Sequence, residues 1–157
     1  MLKIRIVVVD RTKSPFIKEG EAFYLKRLKR YTEVVWSEIK PAKITKRKSP
    51  AEILALEAQA VTKKIGPEDR IISLDRSGSQ FDSLELAQWL EKMSVESFGR
   101  LSFLIGGPLG ISEGFQKRSY KVLSLSKLTL THEMSRLVLL EQLYRAFTIL
   151  RGEKYHK

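Results

Sequence analysis

The sequence predicts an α/β fold: a mostly parallel sheet of five to six strands with helices on both faces. Three observations carry this expectation. Short apolar runs rich in Val and Ile alternate along the chain with segments that open on helix-capping residues. Alternation of that kind builds βαβ units, whose strands become parallel and buried on both faces. The 157 residues, 43% of them hydrophobic, suffice for one packed core, and no linker, repeat or low-complexity tract divides them. One domain spanning residues 1–157 is therefore expected.

The elements follow in order. Ile4 to Val9 is a β-branched apolar run and reads as a buried strand. Asp10 to Lys13 turn the chain, and Ser14 followed by Pro15 marks a helix start. That helix places Phe16, Phe23, Leu28 and Tyr31 near one face and its basic residues largely on the other. Val34 to Ile39 reads as the second strand. A basic loop, Lys40 to Lys48, leads to the capping box Ser49-Pro50-Ala51-Glu52 and a helix ending at Gly66-Pro67. Arg70 to Asp75 reads as a strand and Arg76 to Gln80 as a turn. Asp82-Ser83-Leu84-Glu85 opens a helix with the stripe Leu86, Trp89, Leu90 and Met93. Leu101 to Ile105 is a short apolar strand that breaks into Gly106-Gly107-Pro108-Leu109-Gly110. A short helix around Glu113 to Ser119 and a strand from Lys121 to Leu125 precede a loop rich in hydroxyls. The last helix, Glu133 to Leu150, is apolar around most of its circumference, which predicts two buried faces. One can cover the sheet. The other meets a second subunit in a homodimer, or is sandwiched within one chain.

Composition narrows the chemistry. No cysteine is present, which excludes thiol catalysis and Cys-ligated zinc and suits a reducing compartment. With two histidines, no multi-histidine metal site is expected, and no metal is assigned. No apolar run approaches a membrane span, so a cytoplasmic protein without membrane contact is expected. The net charge of +11 suggests a polyanionic partner, nucleic acid first. The cations cluster: Lys26, Arg27, Lys29 and Arg30 on the first helix, and Lys40, Lys43, Lys46, Arg47 and Lys48 in the basic loop. Clustered cations suit phosphate contacts, although a solubility charge would look alike.

Several enzyme classes are disfavoured. The chain has no P-loop, no glycine fingerprint after its first strand and no Gly-x-Ser-x-Gly elbow. What remains is two irregular loops, Gly106 to Gly110 and Leu125 to Thr131, each following one of the last two strands. In a parallel sheet these share the carboxyl edge with the turn after Leu74-Asp75. Their backbone groups can hydrogen-bond a flat heterocycle, with Leu74, Ile105, Leu125 and Leu130 sandwiching it. Nearby lie His132, Arg136 and Arg145. Each arginine is a phosphate or carboxylate ligand, or a structural partner of an acid such as Glu141. His132 either acts or caps its helix, and the tail Tyr155-His156-Lys157 reads as frayed.

These residues resemble a family across essentially the whole chain. Leu74-Asp75, Leu104-Ile105-Gly106-Gly107-Pro108-Leu109-Gly110 and Leu125-Ser126-Lys127-Leu128-Thr129-Leu130-Thr131-His132 occur in order, followed by Arg136, Glu141-Gln142-Leu143-Tyr144-Arg145-Ala146 and Tyr155-His156-Lys157. The set closely resembles the bacterial ribosomal large-subunit pseudouridine N3-methyltransferases, members of the SPOUT (trefoil-knot) superfamily. Thr131 departs from the pattern, standing where many relatives have proline.

The resemblance implies S-adenosyl-L-methionine as methyl donor, N3 of a pseudouridine in 23S rRNA as acceptor, the assembled ribosome as partner, and a C-terminal trefoil knot. It places donor binding on Leu74, on Ile105, Gly106 and Gly107, and on Leu125, Ser126, Lys127, Leu128, Thr129 and Leu130. The reaction it implies is direct in-line transfer. There His132 or His156, the latter from the same or a partner subunit, helps the N3 proton leave, while Arg136 or Arg145 holds phosphate or developing negative charge. Two other readings stay open: a non-catalytic RNA- or ribosome-binding protein of the same fold, and a methyltransferase of the superfamily acting on another RNA.

Overall fold

Alternate residues of the first strand face opposite layers, and that period of two sets the architecture. In the computed structural model, which describes residues 2–157, β1 spans Lys3–Val9. Its Ile4, Ile6 and Val8 point to one core and its Val7 and Val9 to the other. The strands β2 (Glu33–Ile39), β3 (Arg70–Gln80), β4 (Leu101–Ile105) and β5 (Lys121–Ser124) complete one parallel sheet, in the order β2-β1-β4-β3-β5. β4 lies at its centre and every residue of it is buried; four of its five residues are apolar, and the Ser102 hydroxyl donates to Asp69 Oδ2 at 2.9 Å.

Helices α1 (Pro15–Leu28), α3 (Ser83–Ser94) and α5 (His132–Leu150) contribute to the larger core, with Leu28, Leu90, Leu139, Leu140 and Leu143 buried there. Helices α2 (Pro50–Lys64) and α4 (Glu113–Arg118) cover the opposite face, where Val61 and Phe115 meet Val7, Val9 and Leu104. Local chemistry starts these helices. Asp82 and Glu85 form the complete capping box of α3, and Ser49 accepts from Glu52 N at the head of α2.

Three sequence expectations need correction. The segment Arg76 to Gln80 is not a turn. It extends β3 to Gln80, with a register irregularity against β5 between Leu74 and Ser79. Gly78 permits this, because a Cβ there would fall 2.6 Å from Val122 O. Second, α1 turns a different face inward: Ile17, Glu21 and Leu28 are buried, while Phe16 and Phe23 are 62% and 46% exposed. The cause is tertiary. Gly20 lets Leu137 of α5 pack against α1, at 2.5 Å from where a Cβ would stand, and Glu21 is engaged by Thr12. Third, Thr131 rather than His132 caps α5, accepting from Met134 N at 3.1 Å. The apolar circumference of α5 does bury more than one face: the helix lies between α1 and α3 over the sheet, so much of it is covered within one chain.

Candidate active site

The carboxyl ends of β4 and β5, with the middle of β3, open onto one cleft of about 410 Å³. That volume suits a nucleoside-sized ligand, and the edge of an open parallel sheet is where such folds bind one. The first wall is the loop after β4. Gly110 N donates to Gly107 O at 2.9 Å, and Gly110 sits at φ +79°, a conformation glycine adopts without strain. A Cβ on Gly106 would collide with the carbonyl of Gly110, so glycine is required there too.

The second wall is the loop after β5, which is held by its own hydroxyls. Ser124 Oγ donates to Ser126 O, and Leu128 N donates to Ser126 Oγ, both at 3.0 Å. The N–H groups of Thr129 and Leu130 find no acceptor among the described residues. They are free for the edge of a heterocycle, as a nucleoside donor would require. The third wall is Leu74-Asp75-Arg76 of β3. Arg76 Nη1 reaches across to Thr129 Oγ1 at 3.2 Å.

Leu74, Ile105, Gly106, Gly107, Leu125, Ser126, Leu128, Thr129 and Leu130 all line this cleft. Lys127 does not. It is exposed on the same loop, where a long cationic side chain is well solvated. Asp75, Pro108, Gly110 and Thr131, which the sequence places in the surrounding loops without a role in donor binding, also stand on its walls, as do Arg76 and Ser135, which the sequence does not single out for the site. Ser135 was legible in principle, since it follows His132 by three positions and so shares its helix face.

The four side chains expected to act chemically separate into three places. His132 lines the cleft, half-buried. Burial first, and the Arg136 guanidinium second, lower its pKa, so the imidazole is neutral at pH 7 and able to accept a proton. Arg136 is fully buried and lies outside the cleft wall. Its Nη2 donates to Val9 O at 2.7 Å and its Nη1 to Thr12 Oγ1 at 2.9 Å, and Thr12 in turn donates to Glu21 Oε2 at 2.7 Å. Burial lowers the Arg136 pKa and raises that of Glu21. A guanidinium closed off from solvent in this way cannot hold a phosphate, which corrects the expectation for Arg136. What it holds is the head of α5 against the end of β1. Glu133 reinforces that joint, accepting from Ser14 N and Lys13 N at 3.0 and 3.1 Å.

Arg145 and His156 form the third place. Arg145 Nε donates to Glu141 Oε1 at 3.1 Å, and Arg145 Nη1 lies 3.2 Å from His156 Nδ1. Tyr155 donates to the same Glu141 oxygen at 3.1 Å and packs edge-on against Tyr144. The tail is therefore not frayed, because the Glu141 carboxylate and the Tyr144 ring tie it to α5. Glu141 raises the pKa of Arg145, and burial raises that of Tyr155. None of these side chains lines the cleft. About 20 Å of helix, at 1.5 Å per residue, separates His132 from Arg145. Among the described residues no group of three or more His, Asp or Glu is placed to hold a metal, and no helix is long and apolar enough to cross a membrane.

Comparison with known proteins bears on this arrangement. Residues 2–156 match the family model described as predicted SPOUT methyltransferase. A protein of Streptococcus suis named ribosomal RNA large subunit methyltransferase H is 40% identical over 99% of this chain and 100% of its own length. Proteins of the same name from Streptococcus uberis and Streptococcus pneumoniae are 38% and 40% identical over the same shares. Among solved structures, a probable methylase family protein of Haemophilus influenzae aligns with a TM-score of 0.56 at 18% identity, over all of this chain and 72% of that one. A probable methyltransferase of Bordetella pertussis also gives 0.56, at 14% identity over 92% and 94% of the two chains. At such identities the likeness is one of fold.

Proposed function

The chain belongs to the SPOUT methyltransferase family and is a methyltransferase, and from that premise we propose that it methylates N3 of a pseudouridine in 23S rRNA, with S-adenosyl-L-methionine as donor. The observation that carries the reading is the cleft: two loops and a segment of β3 at one sheet edge, with two N–H groups, unpartnered among the described residues, between apolar walls. The name and full-length similarity of the streptococcal relatives support ribosomal RNA as the substrate. The threaded, knotted C-terminal half that the resemblance implies belongs to the same proposal.

The residues present fit the donor. Leu74, Ile105, Leu125 and Leu130 offer apolar faces for the adenine, the free N–H groups of Thr129 and Leu130 meet its edge, and Gly106 and Gly107 let the backbone approach. When bound, the donor supplies an electrophilic methyl group on sulfur. The protein's part is to bring N3 in line with that methyl, an orientation effect. It must also receive the N3 proton, and neutral His132 at the cleft wall is the base within one chain. Arg145 and His156 stabilise the negative charge that develops on the ring, or hold an adjacent phosphate.

Because that pair lies away from its own cleft, it acts across a homodimer, one subunit's tail completing the other's site. Phe16 and Phe23 of α1, exposed on either side of Gly20 where the half-buried Leu137 of α5 packs, supply apolar surface for such a dimer. The exposed Lys26, Lys29 and Arg30, with the basic loop Lys40 to Lys48, provide backbone contacts to rRNA. A cytoplasmic location follows from that substrate.

The deciding experiment is nucleoside mass spectrometry of 23S rRNA from cells with and without the protein. N3-methylpseudouridine should vanish without it and return on complementation. An unchanged nucleoside profile would sink the reading. Titration calorimetry with S-adenosyl-L-methionine separates the enzyme from a pure RNA-binding module, which has no reason to bind the donor.

A further inference from the structure

We propose that Arg76 is the phosphate-binding residue that the chain contributes to its own cleft, taking a phosphate of the RNA strand that carries the target base. The inference rests on the reading of the chain as an rRNA methyltransferase. Arg76 supplies the only guanidinium or ammonium group among the residues that line the cleft. It is exposed at the mouth, and its one hydrogen bond among the described residues is the 3.2 Å contact from Nη1 to the neutral Thr129 hydroxyl. A guanidinium has five N–H donors in a planar fork, so most of this one is free.

The contrast with nearby charges sharpens the point. Arg145 is paired with Glu141, Arg136 is bound to Val9 and Thr12, and neither lines the cleft. Asp75, the adjacent residue, does not neutralise Arg76 by a salt bridge. Its Oδ2 accepts from the backbone N–H and the hydroxyl of Ser77 and is held within the irregular segment of β3. The register irregularity between Leu74 and Ser79 is what sets Arg76 opposite Thr129. Strand irregularities that re-aim a side chain beside a site are a recurring device.

Position selects among anions. Leu74 and Ile105 form the inner part of the pocket, half-buried and buried, whereas Arg76 is at the solvent-exposed edge where a polynucleotide would pass. A phosphate there also accepts two guanidinium N–H bonds at once, which the present single contact leaves available.

The test is a kinetic and binding comparison of full-length wild type, Arg76→Ala and Arg76→Lys. S-adenosyl-L-methionine affinity is measured by calorimetry, and methylation is measured on ribosomes lacking the modification, at several salt concentrations. For Arg76→Ala the donor Kd should stay within about twofold, KM for ribosomes should rise about tenfold, and the salt slope of log KM should fall by about one. Arg76→Lys should restore the slope and only part of the KM, because an ammonium cannot make the paired contact. Donor affinity that weakens while KM for ribosomes holds would assign the guanidinium to the donor's carboxylate and overturn the proposal. Unchanged values throughout would overturn it too. Wild-type protein that leaves ribosomal RNA unmethylated would instead defeat the underlying reading, and the phosphate assignment with it.

Discussion

Arg136 and Arg145 stand on the same helix, and the sequence presents them alike: a cation in an apolar run. Their surroundings differ completely. Arg136 is sealed between β1, Thr12 and the head of α5, with acceptors from the backbone and a hydroxyl. Arg145 keeps partial access to water, pairs with Glu141 and touches the tail through His156 and Tyr155. A buried cation with fixed acceptors belongs to the architecture. A half-exposed cation beside a histidine can still meet a ligand. The difference teaches that residue type on a helix face does not sort function from support; what lies opposite the face does.

The comparison yields predictions of decreasing size. Arg136→Ala should destabilise the fold by about 3 kcal/mol, since it strands buried acceptors and the Glu21 carboxylate. A lowered urea midpoint with unchanged slope would show it, and a midpoint within error of wild type would erase the distinction. Arg145→Ala should shift stability by less than about 1 kcal/mol, because the ion pair is partly exposed. Its methylation rate should nevertheless fall about 100-fold, and a rate near wild type would move Arg145 to the supporting class. Deleting Tyr155 to Lys157 should cost activity by itself but little more in the Arg145→Ala background, since the two act as a unit. Independent, multiplying losses would separate them.

The smallest effect concerns pH at the Arg136 end. The folded-state pKa of His132 lies below its ordinary 6.5 because of burial and then Arg136, with Glu133 and Asp10 opposing and Lys13 adding slightly. The unfolded chain therefore takes up a proton before the folded one does. Stability should be unaffected above pH 6.5 and decline as pH falls below it, down to the folded value. His132→Gln should flatten that decline in urea midpoints measured between pH 7.5 and 5.5. A slope that persists unchanged would assign it to other groups.

Most of the sheet was legible because its signals are local. A short, largely apolar run such as Leu101 to Ile105, ended by glycines, reads as a strand buried on both faces, and Asp82 with Glu85 or Ser49 with Glu52 marks a helix start by chemistry within one turn. The cleft walls were legible for the same reason, since glycines and hydroxyls cluster immediately after apolar strands. The inward face of α1 was not. Aromatic spacing pointed to Phe16 and Phe23, but Gly20 against Leu137 and Glu21 against Thr12 set the rotation, and those contacts join residues far apart in the chain. The strand character of Arg76 to Gln80 was hidden likewise, because Gly78 and two serines imitate a turn until β5 lies alongside.

The order of residues thus determined the elements, the alternation that makes the sheet parallel, and the edge at which loops gather, all consequences of periodicity and capping within a few positions. Tertiary structure decided which arginine was closed off, that the tail folds back onto α5, that Lys127 stays out of the cleft lining, and that Arg76 joins it. Those outcomes depend on burial and on partners many residues away, and no local pattern in the chain encodes either.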